Sequence, residues 1–496
     1  MSSCSLDEAF EVLKRRFGYS KFRGSQQKII ERTMEGRDSL VIMPTGGGKS
    51  LCFQIPALVH AQRYSAAAKT AKRHNTKVPL TLVLSPLVAL MKDQVDTLQR
   101  KGIEATFVNS SLDRQERNRR YKQIASGEFC LLYVTPERFR KEEFVSVIDQ
   151  REIVLLAVDE AHCISEWGHD FRPDYTRVGE FRRSLRMPTT IALTATATRD
   201  VQLDIIRQLG IAEFGDGVDQ CKLYHEGIQR PNLALSIEEV WGTDEKTALI
   251  EQVVQRWPNQ SGVVYFTLIR YLEEMSGKLR ALNIPHVCYH GDLSRQDRKR
   301  IQDDFMRNRS PLVLATNAFG MGIDKEDIRY VLHAEVPGSM ESYYQEIGRA
   351  GRDGLPSECI LMYDQRDLNT QVEFLGWSNP DADFYQRTYD LLVHDGDSVR
   401  SFGMEWLREK LCARNKRDRR LETVLAMLQR YGVIRDELDL GNLEIAGPLP
   451  DSLANQNDRS AKLLRDQKKL YALVEYAKAA DPREFVHKYF GAVADS

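Results

Sequence analysis

The sequence predicts an α/β protein in which two parallel-sheet domains stand in tandem, followed by a helical, winged-helix-like C-terminal region. Three observations carry this. Short apolar, β-rich runs ending in polar residues recur between helical segments, first at 80–86, 105–109, 130–136, 153–160 and 190–196 and again at 262–266, 286–290, 312–316, 330–334 and 357–363. Strands of that kind, buried on both faces, belong to doubly wound parallel sheets whose ligands gather at the strands' carboxyl ends. One glycine-rich turn, at 41–50, serves both series, and beyond residue 367 the apolar spacing becomes helical.

At 496 residues the chain has room for about three domains at roughly 150 residues each. With 42% hydrophobic and 28% charged residues, each can bury a real core. A net charge of −1 excludes a uniformly cationic surface, so nucleic-acid contacts would have to come from local patches. No apolar run approaches the ~18 residues of a membrane span, and the first residues lack the basic and apolar regions of a signal peptide. Eight scattered cysteines without a C-x-x-C pair point to reduced thiols and no zinc cluster.

In chain order, Leu6, Ala9, Phe10, Leu13 and Phe17 have helical spacing. In the segment that follows, Tyr19, Arg23 and Gln26 would suit adenine, the ring stacking and the amide pairing the base edge, or Gln26 is the polar start of a helix. The run V-I-M-P-T-G-G-G-K-S (41–50) is a strand, a turn and a helix start. Its backbone N–H groups can curl round a phosphate, Lys49 can reach the outer phosphates and Ser50 can sit on Mg²⁺, although Met43 stands where the strict pattern has glycine. Residues 61–79, with Arg63, Lys69, Lys72, Arg73 and Lys77 and no acid, read as a solvated insertion, either plain surface or a DNA-contacting loop. Asp159-Glu160-Ala161-His162 closes an apolar strand: Asp159 is placed to hold the metal and Glu160 to orient and deprotonate a water. Trp167, Phe171 and Tyr175 follow without apolar periodicity beside His169 and Arg172, which suits base stacking more than core packing. Thr194 and Thr196, at the next strand end, can bridge this site to the second domain.

A connector near 226–235 leads to the second series, which has no phosphate loop. In Q-E-I-G-R-A-G-R-D-G (345–354), Arg349 and Arg352 are spaced i, i+3 and are expected on one helix face, aimed across a cleft as arginine fingers. The loop 316–325, with Gly320 and Gly322, suits close approach of a nucleic-acid strand. Amphipathic helices at 404–412 and 419–434, then apolar residues 443–445, make 385–447 a winged-helix candidate, with a plain surface bundle as the alternative. From Arg408 to Arg420 seven basic residues face two acids. Residues 448–460 read as a linker before a helical hairpin with Leu463, Leu470, Leu473, Val474 and Tyr476 on its apolar face.

Together, M-P-T-G-G-G-K-S, S-P-L-V-A-L-M-K-D-Q-V, V-T-P-E-R, D-E-A-H-C-I-S-E-W-G-H-D-F-R-P-D-Y, L-T-A-T-A-T, A-T-N-A-F-G-M-G-I-D-K and Y-Q-E-I-G-R-A-G-R-D-G resemble the ordered motifs of the RecQ family of superfamily 2 DNA helicases, over about residues 6–370. The resemblance implies two RecA-like lobes, 1–225 and 226–370, closing on ATP and Mg²⁺. It also implies 3′-to-5′ translocation on DNA with unwinding of tailed or forked duplex in recombination and repair. The alternatives are a DNA translocase or annealing ATPase without processive unwinding, and a DNA-binding scaffold with dead lobes, which the intact Lys49, Glu160 and arginines disfavour. By resemblance Tyr19, Arg23 and Gln26 read adenine, and Thr45, Gly46, Gly47, Gly48, Lys49, Ser50 and Asp324 hold the nucleotide. Lys49, Asp159, Glu160, Gln345, Arg349 and Arg352 run hydrolysis, with Ser50 and Asp159 on the metal. Ser85, Thr135, His162, Trp167, His169, Phe171, Arg172 and Thr316 follow or sense the DNA. A monomer is expected, in the cytoplasm of a bacterium or the nucleus of a eukaryote.

Three departures stand out. The insertion at 61–79 is long, and Ile269 occupies the place of an arginine, with Arg270 adjacent. The segment 458–496 resembles the hairpin that begins the family's zinc-binding region, but Asp481 stands where the first zinc cysteine would fall, so no structural zinc is expected. The winged-helix candidate also precedes this hairpin rather than following it.

Overall fold

Alternating side chains on the apolar runs dictate the first sheet. Leu40 and Ile42 enter one core and Val41 and Met43 the other, on opposite faces of the same strand. The computed structural model describes residues 2–70, 77–165, 175, 177–211, 221–226, 230–320, 325–412, 418–435 and 440–491. In lobe 1, strands β1 (Ser39–Ile42), β2 (Leu80–Leu84), β3 (Ala105–Val108), β4 (Leu131–Val134), β5 (Ile153–Val158), β6 (Thr189–Thr194) and β7 (Lys222–His225) form a sheet of order β3-β4-β2-β5-β6-β1-β7. Every pairing is parallel. Register sets Ile42 opposite Thr194, and Val158 opposite Ala192, so the ends of β1, β6 and β5 lie side by side.

Lobe 2 repeats the plan with β8 (Leu233–Glu239), β9 (Ser261–Tyr265), β10 (Val287–Tyr289), β11 (Leu312–Ala315), β12 (Ile328–His333) and β13 (Ser357–Tyr363), in the order β10-β11-β9-β12-β13-β8, again parallel. β7 and β8 are absent from the sequence reading, and β8 takes up part of the expected connector. Both are edge strands with mostly half-buried or exposed side chains, so neither carries the apolar run that marks a central strand.

The expected insertion is corrected in part. Residues up to Thr70 continue the helix Leu51–Thr70 that follows the glycine turn, because Ala61 and the run Ala66–Ala68 favour helix, and Arg63 pairs with Glu8 at 2.6 Å. Lys72 and Arg73 lie outside the described residues. Tyr175 is also corrected: it is 1% exposed and packs in the lobe 1 core, where one ring fills a gap without any periodic neighbours.

Beyond lobe 2, the helices Asp367–Ser378, Ala382–His394, Gly396–Leu411 and Arg420–Arg430 follow in turn. A two-stranded antiparallel ribbon, β14 (Ile434–Arg435) and β15 (Glu444–Ile445), shares a core with the last three of these helices through Phe384, Leu407, Val424 and Ile434. Much of the basic stretch is neutralised locally: Arg408 and Arg419 pair with Glu422, and Arg420 with Asp418. The expected linker is corrected as well, since it holds a short helix, Asp451–Ala454, and the first turn of the long helix Gln456–Ala477.

That long helix and Pro482–Tyr489 form the hairpin. Leu473, Tyr476, Val486 and Phe490 complete one lobe 2 core alongside Tyr343, Tyr344 and Ile347, and the Tyr476 hydroxyl donates to that of Tyr343 at 2.9 Å. Asp481 caps the second helix, accepting from Arg483 N at 2.8 Å and Glu484 N at 3.1 Å, with Pro482 in its first turn. Among the described residues no helix is long and apolar enough to cross a membrane.

Candidate active site

The carboxyl ends of β1 and β5 open into a cleft of about 680 Å³ between the lobes, within the size range of small-ligand sites. Lobe 1 lines it with Tyr19, Arg23, Gln26, Lys49, Asp159 and Glu160, and lobe 2 with Gln345, Arg349 and Arg352. Residues separated by some 300 positions are thus brought together as the motifs require.

The glycine turn owes its curl to Gly46 and Gly48, at φ 77° and 78°, a region that only glycine enters freely. Ser50 also lines the cleft, and the Lys49 ammonium folds back to donate to Met43 O at 3.1 Å. Burial lowers the Lys49 pKa, against the upward pull of Glu160 and Asp159. Burial, then the neighbouring Glu160 charge, raises the Asp159 carboxyl well above the usual carboxylate range, against the pull of Lys49. A buried carboxylate held this way is stabilised in its charged form by a cation placed beside it.

Glu160 sits at φ 49°, ψ 48°, left-handed backbone that few side-chain-bearing residues adopt, as the cap of the short helix Ala161–Ile164. Its carboxylate lies 3.3 Å from His162 Nδ1, which is itself 3.0 Å from Thr194 Oγ1. The Thr194 hydroxyl donates to Thr196 O at 3.0 Å. A buried polar chain therefore links Glu160 to the strand end that the sequence marks as a bridge.

The adenine-reading trio divides. Tyr19 is 48% exposed with the Arg23 guanidinium 5.9 Å from its ring centre, leaving a free stacking face. Gln26 lines the cleft as well; its amide donates to Gly47 O at 3.1 Å and Gly48 O at 3.2 Å and accepts from Arg23 N at 2.9 Å, tying the base end of the cleft to the phosphate turn.

The arginines are corrected in their setting. The helix Met340–Ile347 stops at Gly348, so Arg349 and Arg352 occupy the turns beyond it, where the glycines end regular helix. Both still line the cleft. Arg349 donates to Gly320 O, and Gly320, at φ 146°, has no room for a Cβ beside that guanidinium. Arg352 lies against Gly46.

Arg230 escaped the sequence reading. It donates to Ala350 O and Gly351 O at 2.7 Å each and reaches Gly348 O and Thr45 O at 3.4 Å, bracing the finger turn against the glycine turn. Nothing in its local sequence marks it, since its partners are carbonyls 118 to 121 residues on in the finger turn and 185 residues back at Thr45. Thr45 adds a direct bond between the lobes, its hydroxyl donating to Gly348 O at 2.8 Å.

Ser85, Thr135 and Thr316 are buried at strand ends, apart from the nucleotide cleft. Arg270 is exposed with its guanidinium 4.7 Å from the Tyr271 ring. Trp167, His169, Phe171, Arg172 and Asp324 lie outside the described residues.

Residues 23–203 match the family model of the DEAD/DEAH box helicase, and residues 245–354 that of the helicase conserved C-terminal domain. Over 359 residues the chain is 41% identical to the ATP-dependent DNA helicase RecQ of Haemophilus influenzae, which covers 72% of this chain and 54% of that protein. Over 368 residues it is 38% identical to the probable ATP-dependent DNA helicase RecS of Bacillus subtilis, covering 74% and 68%. The chain spans about half the length of the RecQ relatives it matches. Among solved structures, S. cerevisiae Dbp5 bound to RNA and ADP BeF3 shares the fold at a TM-score of 0.55 and 18% identity, covering 76% of this chain and 93% of that one. With both lobes, the ordered motifs and these relatives in agreement, the chain belongs to the RecQ family of ATP-dependent DNA helicases.

Proposed function

We propose that the chain hydrolyses ATP between its lobes and uses the resulting opening and closing to move 3′ to 5′ along single-stranded DNA, unwinding duplex ahead of it. The observation that carries this reading is the single cleft joining Lys49, Asp159 and Glu160 of lobe 1 to Arg349 and Arg352 of lobe 2. Tyr19 stacks on adenine, and the turn's N–H groups with Lys49 bind the phosphates. Glu160 orients the attacking water and takes its proton, while the two guanidiniums stabilise charge on the transferring phosphoryl group, giving ADP and phosphate. The donor set fits Mg²⁺: Ser50 Oγ and the Asp159 carboxylate would hold the ion, which would offset phosphate charge. Hydrolysis removes what the arginines hold, so the lobes part.

Phosphate release with and without single-stranded DNA tests this, together with displacement of a strand from a 3′-tailed duplex. Lys49→Ala is expected to abolish both, and a Lys49→Ala protein that still unwinds with ATP sinks the reading. The ribbon β14–β15, only two residues per strand, favours a second reading: translocation without strand separation. DNA-stimulated ATPase without displacement of the tailed strand would select it.

A further inference from the structure

The turn Arg230-Pro231-Asn232-Leu233 delivers the chain into β8 and closes with Leu233 N donating to Arg230 O at 3.0 Å. Its side chains dock on the turn that carries Arg349 and Arg352. Arg230 donates to Ala350 O and Gly351 O, and the Asn232 amide donates to Gly351 O at 2.9 Å and Leu355 O at 3.0 Å. Ala350 and Gly351 are the two residues between the fingers, so the carbonyls held belong to the peptides that join Arg349 to Arg352. A peptide unit is planar, and fixing its carbonyl fixes the direction in which the chain leaves it. Gly351, at φ 55°, is packed so closely that a Cβ there would meet Asn232 Nδ2 and Ser357 Oγ.

This turn is itself gripped from the C-terminal hairpin. Asp481 caps the helix Pro482–Tyr489 and accepts from Arg483 N, which fixes where the Arg483 side chain departs. The Arg483 fork then spans both ends of the 230–233 turn, one nitrogen donating to Arg230 O at 3.1 Å and the other to Leu233 O. A planar guanidinium that holds two carbonyls at once sets orientation as well as distance. Burial lowers the Arg230 pKa, so a desolvation cost is borne to keep a guanidinium at this place. A neutral amide, with two N–H groups, could not reach the four carbonyls of Thr45, Gly348, Ala350 and Gly351 together. Arg230 and Arg483 are not among the residues that line the nucleotide cleft, so any effect of theirs on hydrolysis passes through the finger turn.

We propose that Arg230 is a positioning residue for ATP hydrolysis, holding the peptides between Arg349 and Arg352 in register with the cleft, and that Arg483 of the hairpin sets where Arg230 stands. The inference rests on the reading of those two arginines as fingers. Steady-state phosphate release with single-stranded DNA, measured on the full chain below each variant's Tm, tests it. Arg230→Gln is expected to lower kcat about 10- to 100-fold, the scale of a reacting group misplaced by about 1 Å, with the KM for ATP nearly unchanged. Arg230→Lys keeps the charge without the fork and is expected to recover little of the loss. Arg483→Ala is expected to lower kcat about 2- to 30-fold, again with KM held. Since Arg483 acts through Arg230, Arg230→Gln combined with Arg483→Ala should match Arg230→Gln alone. A merely structural clamp would lower Tm and leave kcat as in wild type. Wild-type kcat in either single variant, full recovery by Arg230→Lys, or a double variant whose loss is the product of the two single losses overturns the proposal. Should Arg230→Gln fail to fold, Arg483→Ala decides alone. An Arg349→Ala protein that hydrolyses ATP at the wild-type rate refutes the finger reading itself, whereas a disabled Arg349→Ala beside unaffected Arg230→Gln and Arg483→Ala refutes only this positioning.

Discussion

Gly348 offers the sharpest test of lobe closure. Its backbone is ordinary right-handed helix (φ −62°, ψ −7°), so its conformation does not demand glycine. The neighbour does: a Cβ there would overlap Thr45 Oγ1, the same atom that donates to Gly348 O across the lobes. Threonine is stiff about χ1, so no easy rotamer change makes room. Gly348→Ala should therefore wedge the lobes apart, at the roughly 1–3 kcal/mol of an overpacked contact. Since 1.36 kcal/mol is tenfold in rate, kcat for DNA-stimulated ATP hydrolysis should fall about 5- to 150-fold. Thr45→Ala alone removes one neutral hydrogen bond, about 1 kcal/mol or about fivefold. In the double variant the new methyl occupies the space Oγ1 has left, so kcat should match that of Thr45→Ala. The assay is steady-state phosphate release for all four proteins of the cycle. A double variant whose loss equals the product of the two single losses would refute the wedge.

Two further outcomes are expected. Glu335 is buried, and its Oε2 accepts from Thr267 N and Leu268 N at 2.9 Å each; burial pushes its carboxyl from 4.5 up to about 7. Between those values the folded state keeps a proton that the unfolded chain has released, so stability falls as pH rises through that window. The Tm of Glu335→Gln relative to wild type, followed by thermal melts, should therefore climb between pH 5 and pH 8, by the few degrees that about 1–3 kcal/mol represents; a difference that is flat in pH counts against the buried charge. Gly320→Ala would both strain the backbone and displace the Arg349 guanidinium, so kcat for ATP hydrolysis should drop at least about tenfold with the ATP KM little changed, and a normal kcat would remove Arg349 from the working site.

The parts legible in the sequence are those that backbone chemistry constrains tightly. A turn at φ 77° and 78° must be written in glycine, and acids that end a buried strand leave an unmistakable D-E after an apolar run. Side chains whose partners are distant carbonyls leave no such mark. Arg230 looks like any connector arginine until the finger turn folds against it, and nothing local announces that the Gln26 amide donates to carbonyls of the glycine turn. The spacing of Arg349 and Arg352 suggested a helix face, but Gly348 and Gly351 end the helix first, Gly351 at φ 55°. Tyr175 shows the converse error: a lone buried ring in a polar stretch has no period to betray it.

The hairpin that packs under lobe 2 has a consequence for how the chain folds. Leu473, Tyr476, Val486 and Phe490 complete a core begun at Leu233, and Arg483 donates to Arg230 O at 3.1 Å and to Leu233 O. During synthesis lobe 2, whose last strand ends at Tyr363, therefore leaves the ribosome with an apolar face uncovered, and must wait until Phe490, about 120 residues beyond the lobe's end, has emerged. The ribbon-bearing segment is made inside that interval and has its own core, so it can fold while lobe 2 waits. Closing so long a loop costs little more entropy than closing a shorter one, since the penalty grows only logarithmically. The exposure falls instead on kinetics: a chain stalled before residue 473 presents Tyr343 and Tyr344 to chaperones, proteases and other nascent chains.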